Sequence, residues 1–185
     1  MTDFTFDTGV VEYHENYQYT ELPAEIRSDA NSDGLTDYVV HDYDRDGHYE
    51  RYEQDTNYDG QFDVVQDDRN EDGVIDASWE DINKDGRWDV RALDTNLDGR
   101  FDHLTYDLDG QPGWDLHKRD TNFDGVMDLE ARDRNHDGAY DVMTEDRNYD
   151  GQLDRLSYDL NGDGRFDLVK EDNNYDGDYE NSYRY

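Results

Sequence analysis

The stretch DTNYDGQFDVVQD, residues 55–67, shows the unit from which most of this chain is built. The same order of residue types returns every 13 residues from residue 29 to residue 184, without insertion or deletion, so that twelve units fit. The consensus is D-x-[ND]-x-D-G-x-φ-[DE], where φ is usually apolar, followed by four residues of mixed character. A fixed short period indicates a repeat architecture, and we therefore number positions one to thirteen within each unit.

Four positions of the unit carry side-chain oxygens almost without exception, and they are the candidate metal ligands. Position one holds Asp in every unit: Asp29, Asp42, Asp55, Asp68, Asp81, Asp94, Asp107, Asp120, Asp133, Asp146, Asp159 and Asp172. Position three holds Asn or Asp: Asn31, Asp44, Asn57, Asn70, Asn83, Asn96, Asp109, Asn122, Asn135, Asn148, Asn161 and Asn174. Position five holds Asp in eleven units: Asp33, Asp46, Asp59, Asp72, Asp85, Asp98, Asp124, Asp137, Asp150, Asp163 and Asp176. Position nine holds Asp or Glu: Asp37, Glu50, Asp63, Asp76, Asp89, Asp102, Asp115, Asp128, Asp141, Asp154, Asp167 and Glu180.

One unit, residues 107–119, departs from the consensus. It has Gln111 at position five, where the other units have Asp, and Pro112 at position six, where they have Gly. The unit keeps acids at positions one, three and nine, so its residues remain candidate ligands. We expect its site to be weak or empty.

The charge of the chain is concentrated at these ligand positions. The 185 residues include 51 acids and 17 Lys and Arg, for a formal net charge of −34. Positions one, three, five and nine hold 37 of the acids, which leaves 14 acids against 17 bases elsewhere. A histone-binding protein or a DNA mimic would carry its acids in blocks over a surface. The fixed spacing argues against a nucleic-acid-related function and points to cation binding.

Oxygen donors at positions one, three and five, followed by Gly at six, form the first half of an EF-hand calcium loop. Position seven would contribute its backbone carbonyl, which is consistent with its variable side chain. Position twelve carries no donor pattern, so the closing carboxylate must come from position nine. Twelve Ca²⁺ ions would reduce the formal charge from −34 to −10. We therefore expect a chain that is expanded without calcium and ordered with it. The alternative is that Asp, Asn and Gly serve only as turn residues.

The repeated D-x-N-x-D-G-x-x-D motif resembles the calcium loops of thrombospondin type 3 repeats, of FG-GAP-type propeller blades and of dockerins. It is also similar to aspartate-rich tandem repeats of uncharacterised actinobacterial proteins. The resemblance covers residues 29–184 and implies Ca²⁺ ligands at positions one, three, five, seven and nine, for example Asp55, Asn57, Asp59, Gln61 and Asp63. The chain has no Cys, unlike the thrombospondin repeats, and has more copies than dockerins, so matrix or cellulosome function is not implied.

The seven residues between loops, positions seven to thirteen, are rich in Val, Leu and aromatic residues and too short for a stable helix. They predict one strand per unit, with the apolar residues of positions eight and ten on one buried face. The fold class is therefore an all-β, elongated repeat protein. We favour an antiparallel meander because it places successive loops on opposite edges and spaces loops on one edge by about 9.6 Å. A parallel β-roll or β-solenoid is the alternative.

The predicted domains are an N-terminal cap at residues 1–28 and a calcium-binding repeat domain at residues 29–185. We expect no enzyme, because no catalytic motif is present and the six His residues fall at unrelated positions of the repeat. No apolar run is long enough for a membrane span. We expect a structural or adhesive module at the cell surface or outside the cell, with a protein or cell-surface partner. The first residues, MTDFTFDTGV, lack the features of a secretory signal, which favours the alternative of a cytoplasmic calcium buffer or sensor.

Overall fold

The computed structural model describes residues 23–184, which form one open, 13-stranded antiparallel sheet without helices. Every strand pairs with its neighbours in sequence, so the sheet is a meander. Each strand has four residues: β1 Glu25–Ser28, β2 Tyr38–His41, β3 Arg51–Gln54, β4 Val64–Asp67, β5 Ala77–Glu80, β6 Val90–Leu93, β7 His103–Tyr106, β8 Leu116–Arg119, β9 Leu129–Arg132, β10 Val142–Glu145, β11 Arg155–Tyr158, β12 Leu168–Glu171 and β13 Asn181–Arg184. The predicted all-β antiparallel meander is confirmed.

The strands pair in the same register along the whole sheet. Position ten of one unit faces position thirteen of the next, as Val64 faces Glu80, and position eleven faces position twelve, as Val65 faces Trp79. Each unit therefore contributes nine residues of loop and four of strand. A uniform register keeps every loop in the same position relative to its two strands, which a one-residue slip would destroy.

The strands are shorter than the seven residues predicted, because positions seven to nine belong to the loops. The side chains of position eight are half-buried or exposed, with Phe101 37% and Leu153 46% exposed. They do not form the buried stripe that the sequence suggested. The reason is that the sheet is a single layer among residues 23–184, so neither face is covered by a second sheet or a helix.

The apolar core is correspondingly small. The buried apolar side chains of residues 23–184 are those of Val39, Val40, Val65, Ala77, Ala92, Leu116, Ala131 and Val169. Val39 and Val40 are adjacent in β2 and point to opposite faces, so the core is divided between the two sides of the sheet. A core of this size cannot be the main source of order in the array.

Loops from alternate units lie side by side on one edge of the sheet. Position seven of one loop approaches the Gly of the loop two units later: a Cβ at Gly60 would lie 3.0 Å from Cδ1 of Leu35. Gly60 also has a φ of 89°, a left-handed conformation that strains other residues. Gly60 is thus required both by the backbone and by the neighbouring loop, whereas a Cβ at Gly73 would have no atom within 4 Å.

Position four is left-handed in all twelve units. Ten of these residues are not Gly: Ser32, Arg45, Tyr58, Glu71, Lys84, Leu97, Phe123, His136, Tyr149 and Tyr175. The other two are Gly110 and Gly162. A non-Gly residue in this conformation costs about 1–2 kcal/mol. The loops therefore hold considerable backbone strain, and other interactions must compensate for it.

Part of the predicted N-terminal cap is the first strand of the sheet. Residues 25–28 form β1 and pair antiparallel with β2. The remaining cap residues that precede residue 23 lie outside the described part of the chain. Residue 185, at the end of the predicted repeat domain, lies outside it as well.

The two requirements on Gly at position six predict different effects of substitution by Ala. Gly73→Ala introduces backbone strain alone, because a Cβ there has no atom within 4 Å, and should cost about 1–2 kcal/mol of unfolding free energy. Gly60→Ala adds the contact with Leu35 and should cost more. Denaturant unfolding of both variants tests this; equal losses would exclude a role for the contact between loops.

Candidate metal centres in the hairpin loops

The loop of residues 55–63 shows how the acid at position one is held. This acid is Asp55, and its Oδ1 atom accepts hydrogen bonds from the backbone N–H groups of Tyr58 at 2.7 Å and Asp59 at 3.3 Å. Its Oδ2 atom accepts the N–H of Gly60 at 2.7 Å. Asp59 in turn accepts the N–H of Gln61 at 2.9 Å. The backbone of the loop thus wraps around the carboxylate of position one.

The acid at position nine closes the loop from the other side. Oδ2 of Asp63 accepts the backbone N–H groups of Thr56 at 2.8 Å and Asn57 at 3.2 Å, and the Thr56 hydroxyl at 2.6 Å. The backbone N–H of Asp63 donates to the carbonyl of Gln54 at 2.8 Å, which extends the strand ladder into the loop. The sheet therefore fixes the position of this carboxylate.

Most of the carboxylates at positions one and nine are buried. Eighteen Asp residues are buried: Asp37, Asp42, Asp55, Asp63, Asp68, Asp76, Asp81, Asp89, Asp94, Asp102, Asp115, Asp120, Asp128, Asp133, Asp146, Asp154, Asp159 and Asp172. Among residues 23–184, only Asp63 and Asp115 of this set form an ion pair with a basic side chain. Buried charges are normally paired or bound to a metal. Sixteen of these carboxylates have only hydrogen bonds to offset their burial.

Backbone amides favour the ionised form of one of these acids, Asp159. Burial opposes the ionisation of Asp159, but the N–H groups of Gly164, Gly162, Asn161 and Asp163 outweigh it, and its pKa lies below the ordinary value. A carboxylate offers about four lone-pair positions, so two or three hydrogen bonds leave room for a further partner. The loop carboxylates therefore have unused acceptor capacity.

Two buried carboxylate oxygens have no hydrogen-bond partner within the described chain. They are the Oδ1 atoms of Asp37, at position nine, and Asp68, at position one. A buried acceptor without a partner costs about 1–3 kcal/mol, so such atoms normally indicate a missing ligand or water. Both atoms belong to positions that the sequence assigned as metal ligands.

Three loops bring three acidic oxygens within 4.8 Å of one another. They are formed by Asp29, Asp33 and Asp37; by Asp42, Asp44 and Glu50; and by Asp172, Asp176 and Glu180. In the nine other units of the described chain, no three acids of one loop converge to this distance. The predicted ligand sets are therefore assembled around each loop, but only three of them are drawn tightly together.

The Asn residues at position three place an N–H donor between the acids. In seven loops the Asn Nδ2 atom donates to the acid of position five, as in Asn57 to Asp59 at 3.0 Å. In the other three, those of Asn83, Asn135 and Asn161, it donates to the acid of position nine. The amide thus provides partial positive charge where several carboxylates face the loop interior.

The divergent loop, residues 107–115, contains a histidine from another unit. His136 lies 3.2 Å from Oδ2 of Asp109 through Nε2 and 3.0 Å from Oδ1 of Asp115 through Nδ1. The three residues form a group of metal-ligand type within 4.8 Å.

The backbone of the same loop also differs from the others. Pro112 restricts its own φ to negative values, so it cannot adopt the positive φ that Gly has at position six of the other units. The positive φ occurs instead at the next residue, Gly113, where it is 132°.

The sequence interpretation missed His136 because it compared residues only within one unit. His136 is at position four, two units after the loop it contacts. Lys84 has the same relation to the loop of residues 55–63, with its Nζ atom 3.1 Å from Asp63. Glu71 likewise faces Asp44 and Asp46, and burial together with these two acids raises its pKa. Comparing position four with the loop 26 residues earlier would have shown these contacts.

Comparison of the chain with protein-family models, with curated proteins and with solved structures found no match. The interpretation of the loops therefore depends on their own geometry. No helix long and apolar enough to cross a membrane occurs in residues 23–184.

The contact between Lys84 and Asp63 makes a prediction about stability. Burial raises the pKa of Asp63, but the Thr56 hydroxyl, Lys84 and the Thr56 N–H outweigh it, so its pKa is lowered. A lowered pKa stabilises the fold above the ordinary Asp value of about 3.9, and this stabilisation is lost as the pH falls through the folded-state pKa.

Lys84→Met should therefore reduce the unfolding free energy by about 1 kcal/mol at neutral pH, because the side chain of Lys84 is 31% exposed and partly screened. The loss should disappear at a pH where Asp63 is protonated. Lys170→Met is the control, since Lys170 forms no ion pair within the described residues. Denaturant unfolding at both pH values tests the prediction; equal losses in the two variants would contradict it.

Proposed function

We propose that this chain is a calcium-binding repeat protein that becomes ordered and rigid when its loops bind about eleven to twelve Ca²⁺ ions. The observation that carries the proposal is the burial of carboxylates at positions one and nine, sixteen of them without a basic partner in the described chain. A bound cation between these acids supplies the missing positive charge. As an ordered array, the protein serves as a structural, adhesive or interaction module.

The donor atoms suit calcium. Positions one, five and nine supply carboxylates, position three supplies an amide or carboxylate, and position seven supplies a backbone carbonyl. Ca²⁺ takes about six to eight oxygen ligands in flexible geometry, whereas Mg²⁺ demands a smaller octahedral set and retains several waters. The unpartnered Oδ1 atoms of Asp37 and Asp68 fit this role, because each is a buried carboxylate oxygen without a donor in the described chain.

Binding and ordering are linked in this proposal. The loops bring acids together at the ends of short strands, and their mutual repulsion opposes the folded state. An ion that binds only the folded loop adds its binding free energy to the stability of that loop. Because the apolar core of the described sheet is small, the bound ions become the main source of stability.

The position of Glu71 beside Asp44 and Asp46 of the loop of residues 42–50 supports the same conclusion. Burial and the nearby Asp44 and Asp46 raise the pKa of Glu71, so ionised Glu71 is disfavoured in the folded state. Asp44, Asp46 and Glu50 thus all place negative charge near Glu71 at this edge of the sheet. A divalent cation there would relieve the repulsion.

A cytoplasmic buffer or sensor is the second candidate. Extracellular calcium modules bind with dissociation constants of about 10⁻⁴ to 10⁻³ M, and cytosolic sensors with about 10⁻⁷ to 10⁻⁵ M. We favour a module outside the cell or at its surface, because a structural array benefits from many sites whereas a switch needs few. No catalytic role is part of the proposal, and the partner is a protein or a cell-surface component rather than nucleic acid.

The decisive experiment is a calcium titration of chelator-stripped protein, followed by calorimetry and far-ultraviolet circular dichroism. We expect eleven or twelve ions at near-millimolar affinity and a transition from disordered to β structure. Saturation near micromolar calcium would support the buffer or sensor. If the chelator-treated protein is already folded and binds no calcium, the loops are turns only and the proposal is wrong.

Substitution of a single closing acid tests the assignment of position nine. Asp89 is buried, and its carboxylate accepts the N–H groups of Ile82 and Asn83. Asp89→Asn preserves the shape of the side chain but removes its charge, and should reduce the stoichiometry by one ion or weaken one site at least tenfold. It should also loosen β5 and β6, while distant strands stay ordered.

The matched control is Asp115→Asn, at position nine of the divergent loop, where the same change should leave the calcium stoichiometry unaltered. Hydrogen exchange of the backbone amides, measured with calcium present, locates the loosened strands. Collapse of the whole sheet in the Asp89 variant would contradict the local coupling expected for a repeat. An equal loss of calcium in both variants would contradict the assignment.

A further inference from the structure

One face of the sheet carries an alternating charge pattern at both of its ends. Residues that pair directly across strands share a face. On this face Arg51 lies 3.2 Å from Asp67, which pairs with it in the sheet, and Arg155 lies 3.7 Å from its paired residue Glu171. Arg51 is on β3 and Arg155 is on β11, so each pair begins four strands away from the central strand β7. The equivalent pair of β7 consists of His103 and Arg119, so that an Arg replaces the acid.

Two further positions of the central strands carry a basic side chain where the flanking strands carry an apolar one. Arg91 occupies the place that Val39 and Met143 hold in the flanking groups of four strands. His117 occupies the place of Val65, which is buried. The central group therefore has positive or protonatable side chains where its internal copies have apolar ones. We call Arg91, His103, His117 and Arg119 the basic patch.

No acid on the strands faces the basic patch. The residues of this face from β5 to β9 are Ala77, Trp79, Arg91, Leu93, His103, Thr105, His117, Arg119, Leu129 and Ala131. Neither Arg91 nor Arg119 forms an ion pair within residues 23–184, in contrast to the arginines of the flanking groups. The Nε atom of Arg91 is buried and has no hydrogen-bond partner there. The acid that acts on His103 is Asp102, directly before β7.

The basic patch is compact. The rings of His103 and His117 are 6.0 Å apart between centroids, and Tyr140 packs edge-on against His117 at 5.2 Å. Arg119 pairs with His103, and Arg91 and His117 pair with Thr105 from its two sides. The four side chains of the patch therefore lie on three neighbouring strands of one face, in a chain with a net charge of −34.

We propose that the basic patch binds a tetrahedral oxyanion, a phosphate or sulfate group carried by a small molecule or a single ester. Arginine forks donate paired hydrogen bonds to such oxygens, and the two imidazoles add N–H donors beside them. The bound anion takes the place of the acids that pair with Arg51 and Arg155 in the flanking strands. Acidic loops line both edges of the sheet and repel a long polyanion, which favours a single group over nucleic acid.

This inference concerns a face of the folded sheet and not the loops, and the experiment separates it from the calcium proposal. Folded, full-length protein in calcium-containing buffer is titrated with sodium sulfate, with sodium chloride at equal ionic strength as reference. The imidazole NMR signals of His103 and His117, assigned with H103N and H117N, report binding. We expect saturable shifts of both imidazole signals with sulfate, because the bound anion accepts hydrogen bonds from the ring N–H groups.

The double variant R91Q/R119Q should lose at least about tenfold of the sulfate affinity, since it removes both charge-assisted donors. The control R51Q/R155Q removes the same charge from the same face and should bind sulfate as the wild type does. Circular dichroism verifies that both variants are folded. A parallel titration with methyl phosphate distinguishes a phosphate ester from a sulfate as the preferred group.

Three results would overturn the inference. One is the absence of a saturable shift beyond that of chloride, and another is equal affinity in the two double variants. The third is a saturable shift that excludes His103 and His117. Each of these results leaves the calcium stoichiometry untouched, so a failure here is distinguishable from a failure of the proposed calcium function.

Discussion

The burial of like charges at the ends of short strands is the constraint on which the rest of this structure depends. In each hairpin the acids of positions one and nine enter the loop from opposite sides and are enclosed by backbone N–H groups. At Asp159 this arrangement lowers the pKa, although burial opposes ionisation, because the backbone N–H groups outweigh the effect of burial. The arrangement also leaves most of these acids without positive charge nearby in the described chain. The loops are thus the most electrostatically demanding part of the fold.

The sheet gives these loops little help from apolar packing. It is a single layer over residues 23–184, with eight buried apolar side chains divided between its two faces. Uniform register and loop geometry replace the core as the source of order. The non-Gly residues held left-handed at position four strain ten of the loops, and hydrogen bonds to the acids offset that strain. A cation in the loops would complete this balance, which is why we link calcium to folding.

The repeated units form the scaffold, and residues that differ between units form the specific side-chain contacts. Loops two units apart touch along one edge, so a single change at position four alters the neighbouring loop, as His136 and Lys84 do. On the sheet face, three changes in the central strands replace an acid and apolar residues by Arg119, Arg91 and His117 of the basic patch. Both kinds of departure leave the 13-residue period intact. Specific function can therefore be added to the array without disturbing its register.

The sequence by itself determined the all-β class, the thirteen-residue unit, the antiparallel meander and the acids that surround each loop. These features follow from local rules: side-chain oxygens and Gly define the loop, and the remaining residues are too few for anything but a strand. The wrong details were the strand length and the buried role of position eight. The 13-residue period of the sequence does not show where the hydrogen-bonded ladder of each strand ends. Nor does it show that no second layer covers the described sheet.

Only the tertiary structure decided which residues of different units meet. The contact of His136 with Asp109 joins residues far apart in the chain, and so does that of Lys84 with Asp63. The basic patch likewise depends on which residues share a face across three strands. Such contacts are set by strand register and by the alternation of loops between edges. They become visible only when each unit is placed beside its neighbours.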